Sequence, residues 1–370
     1  MKKIRLIIIA ILAMLSGMLF IVFSFMYIKI IQEDSKSFLI INKEQISSIV
    51  EKISEEIPQK YTIEITTAGD CTLGTDVKYG YNNQFDWWFK NKANSDYSYF
   101  FAKVKYLFDN DDYSYVNLEG TLTTATKKTE KTYNFKGDPS YTKILTAGSI
   151  EGVNVANNHS NDYGEIGYND TKKYLSEANI DYFGHDSVLI KEIKGQRIAF
   201  VGYTGVGLWV DKDNDMAKTV KKLKEEENVD LVIANFHWGM EYNHQMTDVQ
   251  RKRAHLAIDS GADIVIGSHP HCLQGGEIYK GKYIIYSLGN FVFGGNSAPR
   301  QIGRECLIVK MFFDYTGNEL ENIRVKLIPC DISSISSRNN YQPIPVTGKT
   351  KTNYLNTVNK YSINFKYVED

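Results

Sequence analysis

A chain of 370 residues, 43% hydrophobic and 24% charged, carries enough apolar material for one large domain or two medium ones and excludes global disorder. Its 43 basic and 44 acidic side chains leave a formal charge of −1, which excludes the basic excess of a dedicated nucleic-acid binder, so no nucleic acid is expected among its partners. Four cysteines, Cys71, Cys272, Cys306 and Cys330, without a CxxC pair exclude a zinc finger and a disulfide framework, although an exported domain could pair them; Cys71 and Cys272 read as small buried hydrophobes.

Residues 1–5 are basic, and Leu6 to Ile28 follow without a charge. That run is long enough to span a bilayer as a helix. No small-x-small cleavage site follows it, so 6–28 reads as an uncleaved signal anchor. The basic residues before it place residues 1–5 in the cytoplasm. The expectation is a single-pass protein of the cell membrane with its C-terminal domain extracytoplasmic. Residues 29–60 read as a linker or stalk. Ile46, Ile49, Val50, Ile53 and Ile57 recur at helical spacing and Pro58 ends the run. Such a helix either packs on the domain or pairs with a second copy to give a homodimer.

The globular domain is expected over 61–335. Tyr61 to Thr66 alternates with β-branched residues and reads as a strand ending in Gly69-Asp70. A helix is expected over 97–109. Short strands follow over 113–117, ending in Asn117-Leu118-Glu119-Gly120, and over 152–156, ending in Asn157-Asn158-His159. Helices are expected over 171–178, 215–227 and 248–259, the last closed by Gly261. Strands are expected over 197–203, from Val229 to Ala234, over 262–266, 283–288, 306–313 and 322–328. The last two are joined by a hairpin loop at 314–318. The alternation of strands and helices indicates an α/β fold, and the late hairpin makes its sheets mixed. The basic clusters at Lys127-Lys128 and Lys218 to Lys224 read as a solvated loop and a solvated helix face. Residues 336–370 are polar and read as a weakly determined tail.

Polar residues gather where the apolar runs stop. His237 follows one run in ANFHWGMEY, and His269 and His271 follow another in GSHPH. A short continuous apolar run is a strand buried on both faces, and the carboxyl edge of such strands is where open α/β sheets bind ligands. Five strand ends thus deliver Asp70, Glu119, Asn158 with His159, His237, and His269 with His271. Carboxylates, an amide oxygen and imidazoles together suit zinc, manganese or iron rather than an all-oxygen calcium cage. One ion or a pair is compatible with this set. A pair needs a bridging carboxylate and activates water while clamping a phosphoryl group in line.

The motifs GDCTLG, NLEG, NNHSNDYG, HWGMEY, GSHPH and YSLGNFVF, in this order over roughly 61–330, resemble the CapA/PgsA family. Those are membrane-anchored proteins of poly-γ-glutamate capsule synthesis whose domain is similar to calcineurin-like metallophosphoesterases. The resemblance implies a four-layer α/β/β/α sandwich. It implies one metal position formed by Glu119, Asn158, His237 and His269, and a second formed by Asp70, Glu119 and His271. It also implies His159 as the general acid, oriented by Asp162. Two departures stand out. The superfamily's opening Asp-x-His is here Asp70-Cys71-Thr72, and its bridging Asp is Glu119. The second position is therefore depleted, and single occupancy or an exchangeable second ion is expected.

Glu241 and Tyr242 read as substrate-side groups or as supports behind the ligands, rather than as ligands. Asn290 either bonds across the site or caps a turn. Arg300 and Arg304 either grip a phosphate or carboxylate or are solvated loop residues. His185, His244 and His255 match no motif and read as surface or loop histidines, and Trp87 and Trp88 as packing. Two functions remain open. One is a metal-dependent hydrolase acting on a phosphoester or on the polymer. The other is a non-catalytic subunit that binds the polymer or the membrane subunits of the capsule synthase.

Overall fold

The computed structural model describes residues 58–208, 210–295, 297 and 302–369; the expected anchor at 6–28 and nearly all of the stalk lie outside them. Among the described residues no helix is long and apolar enough to cross a membrane. Two sheets organise the unit Lys60–Asp370. The first has the order β15-β14-β13-β1-β2-β5-β6 and the second β11-β12-β10-β9-β8-β7. Their strands are β1 (Lys60–Cys71), β2 (Tyr113–Leu118), β5 (Gly152–Asn154), β6 (Asp181–Phe183), β7 (Leu189–Ile193), β8 (Gln196–Thr204), β9 (Leu231–His237), β10 (Ile264–Ser268), β11 (Gly276–Tyr279), β12 (Lys282–Ile285), β13 (Glu305–Thr316), β14 (Glu319–Asp331) and β15 (Ile344–Pro345). A small separate ladder pairs β3 (Thr121–Leu122) with β4 (Lys136–Gly137).

The first sheet is antiparallel from β15 to β1 and parallel from β1 to β6, and the second has a parallel centre with an antiparallel strand at each edge. β1, β2, β5 and β6 run parallel, as do β8, β9, β10 and β12. The hairpin β13–β14 is antiparallel, as expected from the hairpin loop at 314–318. Three apolar clusters show the layering. Ile65, Tyr115, Phe200, Ile233, Ile266 and Met311 lie in the cluster shared by both sheets. Phe100, Leu118, Ile144, Val153 and Leu175 form a cluster on the other face of the first sheet, with helices α1 (Phe85–Asn91), α2 (Thr142–Ala147) and α3 (Gly164–Glu177). Val220, Val232, Ala254 and Val265 do the same for the second sheet, with α4 (Asp213–Glu225) and α5 (Asp248–Asp259). α5 begins in a reciprocal cap between Thr247 and Gln250, which satisfies donors that a helix start leaves open.

Several expectations are corrected. Residues 97–109 contain two short 3-10 turns, Tyr97–Tyr99 and Lys105–Leu107, rather than a helix. Phe100, Phe101, Val104 and Phe108 are all buried there, and seating these bulky groups overrides local helix preference. α3 starts seven residues earlier than expected. Its first turns hold Gly164 and Gly167, whose low helix propensity hides the start; a Cβ on Gly167 would stand 2.7 Å from that of Tyr163. Strands β7 and β11 were not expected. Each enters a hairpin whose two turn residues, Lys194-Gly195 and Lys280-Gly281, have positive φ, the twist that two-residue hairpins require.

The expected loose tail is ordered. β15 pairs with β14, and α6 (Gly348–Lys360) places Val358 in the cluster between the sheets. Tyr341 is fully buried against Phe85 and Trp88. The segment is polar because only a few positions, among them Tyr354, Leu355 and Val358, meet the core.

Candidate metal centre

The parallel strands of both sheets deliver their polar ends to one place. β1 carries Asp70 just before its last residue, β2 is followed by Glu119, and the turn after β5 carries Asn158 and His159. From the second sheet, β9 ends in His237, and His269 and His271 follow β10. The ladder between β1 and β2 shifts register between Ala68 and Asp70. Ala68 and Cys71 both pack in the outer cluster, although they are three apart. The extra residue, Gly69, therefore turns Asp70 to the opposite side, as a bulge does. A Cβ on Gly69 would stand 2.0 Å from the carbonyl oxygen of Gly289, so only glycine fits.

Glu119 occupies the middle. It is fully buried, and neither of its oxygens has a hydrogen-bond partner. Its Oε1 lies 3.7 Å from His237 Nε2, 3.8 Å from His159 Nε2 and 3.8 Å from His271 Nε2. These separations are too long for hydrogen bonds and suit donors arranged around a shared cation. A buried carboxylate without a partner costs several kcal/mol, and burial first, then repulsion from Asp70, raises the Glu119 carboxyl well above its usual range. A divalent ion would relieve both terms, so the residues present fit one.

One set of donors closes on His237. Its Nε2 is 2.6 Å from Asn158 Oδ1 and 3.1 Å from His269 Nδ1. With Glu119 these are the four groups expected for the first position. Glu119, His237 and His269 offer ligand atoms all within 4.8 Å of one another, and so do Asp70, Glu119 and His271. Burial, reinforced by the neighbouring imidazoles, holds His237 well below the usual histidine value and His269 at about 3. Both are therefore neutral, as ligation requires. Burial opposes protonation of His271 too, but Glu119 and Asp70 outweigh it and raise this ring to about 9.

His159 stands apart from these three-residue groups. Its Nδ1 is 2.7 Å from Asp162 Oδ2, leaving Nε2 toward Glu119. Burial lowers the affinity of His159 for a proton, and Asp162 partly restores it. The ring lies against Phe135 at 4.1 Å, and Phe293 covers His271 at 4.5 Å. These rings give the site an apolar wall.

The other residues singled out in the sequence are placed as follows. Asn290 does bond across the site, but to a candidate ligand: its Oδ1 accepts from His271 Nδ1 at 2.8 Å and its Nδ2 donates to Gly303 O at 3.0 Å. It orients His271 rather than reaching open space. Arg304 is turned away, paired with Asp331 at 3.0 Å and bonded to carbonyls of Ser333 and Ile335, so it fastens the C-terminal segment instead of gripping an anion. Arg300 lies outside the described residues. Glu241 is exposed at the rim, beside His269 and His271. His185, His244 and His255 face Asp211, Glu305 and Glu277 respectively, none within the ligand groups. All four cysteines are buried thiols.

Two contributors were missed. Asn117 Nδ2 lies 2.7 Å from Asp70 Oδ1 and 3.1 Å from His237 Nδ1, tying a strand of each sheet together. Lys131 Nζ donates to Asp162 Oδ1 at 2.7 Å. Asn117 stands inside NLEG, two residues before Glu119, so the motif itself held that signal; Lys131, in a charged loop, left none.

Fold and site together define a mixed α/β protein with a buried His, Asp, Glu and Asn cage able to take a divalent metal. The chain belongs to the family described as "Bacterial capsule synthesis protein PGA_cap", whose model matches residues 64–295. It is 32% identical over 256 residues to the capsule biosynthesis protein CapA of Bacillus anthracis, covering 62% of this chain and 60% of that one. It is also 32% identical over 213 residues to the PGA biosynthesis protein CapA of Bacillus subtilis, covering 52% and 56%. The match thus spans less than two thirds of either relative's length. Among solved structures, the sulfate thiohydrolase SoxB of Thermus thermophilus is similar with a TM-score of 0.42 at 12% identity, over 72% of this chain and 56% of that one, a likeness too distant to carry an argument.

Proposed function

We propose that this chain is a membrane-anchored, extracytoplasmic protein acting in the synthesis or export of capsular poly-γ-glutamate or a related polymer, with a metal-dependent hydrolase site of phosphoesterase type. The observation that carries the reading is Glu119, buried without a partner and ringed by the Nε2 atoms of His159, His237 and His271 at 3.7–3.8 Å. Asp70, Glu119, Asn158, His237, His269 and His271 would hold the metal, with manganese, zinc or iron suited to the donor set. When bound, such an ion supplies Lewis acidity and lowers the pKa of water.

The chain's own residues account for the rest. Asp162 holds His159 by Nδ1, so that Nε2 is the atom that delivers a proton to a leaving oxygen. Lys131 on the far oxygen of Asp162 fixes that carboxylate in place. Phe135 and Phe293 exclude water from the imidazoles, which strengthens every charge interaction inside. The same fold takes a second reading, a non-catalytic subunit that binds the polymer or the membrane subunits of the synthase. Thr72 favours it: this residue stands where the superfamily's opening Asp-x-His carries its imidazole. A stalk-mediated homodimer fits either reading.

The test is an assay of the purified full chain in detergent against phosphomonoesters, phosphodiesters and γ-glutamyl polymers with added manganese or zinc. His159→Ala and His269→Ala run beside it. Hydrolysis lost in both supports the enzyme. Hydrolysis that persists in both discards it.

A further inference from the structure

Glu241 belongs to a third group of ligand-type atoms. A carboxylate oxygen of Glu241 and ring nitrogens of His269 and His271 all lie within 4.8 Å of one another. The backbone holds it there from both sides. Trp238 N donates to Ser268 O at 3.0 Å and Tyr242 N donates to Pro270 O at 2.7 Å. The loop bearing Glu241 is thus pinned to the very turn that carries the two histidines.

Charge makes the same point. Asp70, Glu119 and Glu241 all act on His271, three carboxylates around one imidazole. The position formed by Asp70, Glu119 and His271 has three donors, one short of a four-coordinate site. Asn117 and Asn290 are already committed to holding Asp70 and His271. Glu241 is the exposed carboxylate beside His271.

We propose that Glu241 is a metal ligand: it completes a second, outer divalent-cation position with His271, at the mouth of the site. This rests on the metal reading above. A carboxylate that is solvated when free makes the outer ion exchangeable, whereas the inner one is enclosed by Glu119, Asn158, His237 and His269.

The experiment is a Mn²⁺ titration of the chelator-stripped full chain, read by electron paramagnetic resonance and by elemental analysis, with circular dichroism to confirm folding. The parent chain binds two ions, one tightly and one weakly. Glu241→Gln, isosteric and exposed, leaves the tight ion unchanged and weakens the other by about 10–100-fold. An unchanged weak site in Glu241→Gln overturns the proposal. So does loss of both ions in a folded Glu241→Gln, or a parent chain that binds one ion only. A parent chain that binds no ion overturns the metal reading itself, which keeps the two failures distinct.

Discussion

The carboxylate of Asp162 bonds His159 through Nδ1 at 2.7 Å while its other oxygen is held by Lys131. The ring is therefore fixed with one nitrogen committed and the other directed at the metal cage. Removing the ring and removing its support have different costs. His159→Ala is expected to lower turnover of a phosphodiester by about 10²–10⁴-fold, the range for a lost proton donor. Asp162→Asn is expected to cost about 10–100-fold. Steady-state kinetics at saturating manganese check both; equal turnover in parent and His159→Ala would remove His159 from the chemistry.

Glu119→Gln should separate stability from metal binding. In the metal-free chain the substitution removes a buried carboxylate that has no partner, and replaces it with a neutral group of the same shape. A rise in stability of roughly 1–3 kcal/mol is expected in the presence of EDTA. The thermal upshift on adding manganese should shrink at the same time. Melting curves with and without the ion read both numbers. A variant less stable than its parent in EDTA contradicts the unpartnered carboxylate.

The pH dependence of folding has a marker outside the site. Burial pushes the Glu277 carboxyl up, but bonds from Arg251, Tyr286 and His255 together outweigh it and leave it below its usual value. A depressed carboxyl contributes stability above its unfolded pKa, and that contribution is lost as pH falls through the folded one. The gap in melting temperature between the parent and Glu277→Gln should be widest near neutrality and close below about pH 4. A gap that widens on acidification would show that the bonds to Glu277 do not favour its ionised form.

The C-terminal segment should be needed for folding. Tyr341 is fully buried, with ring contacts to Phe85 at 5.0 Å and Trp88 at 6.1 Å. Tyr341→Ala is expected to destabilise by roughly 3–5 kcal/mol, measured by urea unfolding. A cost below about 1 kcal/mol would mean that the segment adds little to the core.

Much of this was legible in sequence wherever periodicity and burial agree. β9 and β10 are buried at every position, so their apolar runs announce them, and the first polar residue past each run marks the sheet edge. β13 and β14 alternate in burial along much of their length, and their pattern shows it. The gathering of Asp70, Glu119, Asn158, His237, His269 and His271 was legible for the same reason, because the strand ends are also where the chain turns polar. The C-terminal helix was not: it meets the core through few side chains, and its remaining surface is solvated. Arg304 shows a further limit. A guanidinium after a glycine-rich loop has the chemistry of an anion grip, but its partner Asp331 stands 27 positions on, at the end of β14, and only folding brings them together. Asn290 was legible as a participant but not as the holder of His271.

Asp70, Glu119 and Asn158 hang from the first sheet, and His237, His269 and His271 from the second. A cation gripped by both sets would work as a rivet through the sandwich, resisting any slip of one layer past the other. Loading the ion and stiffening the whole body would then be one event, and chelation would loosen regions far from the rivet.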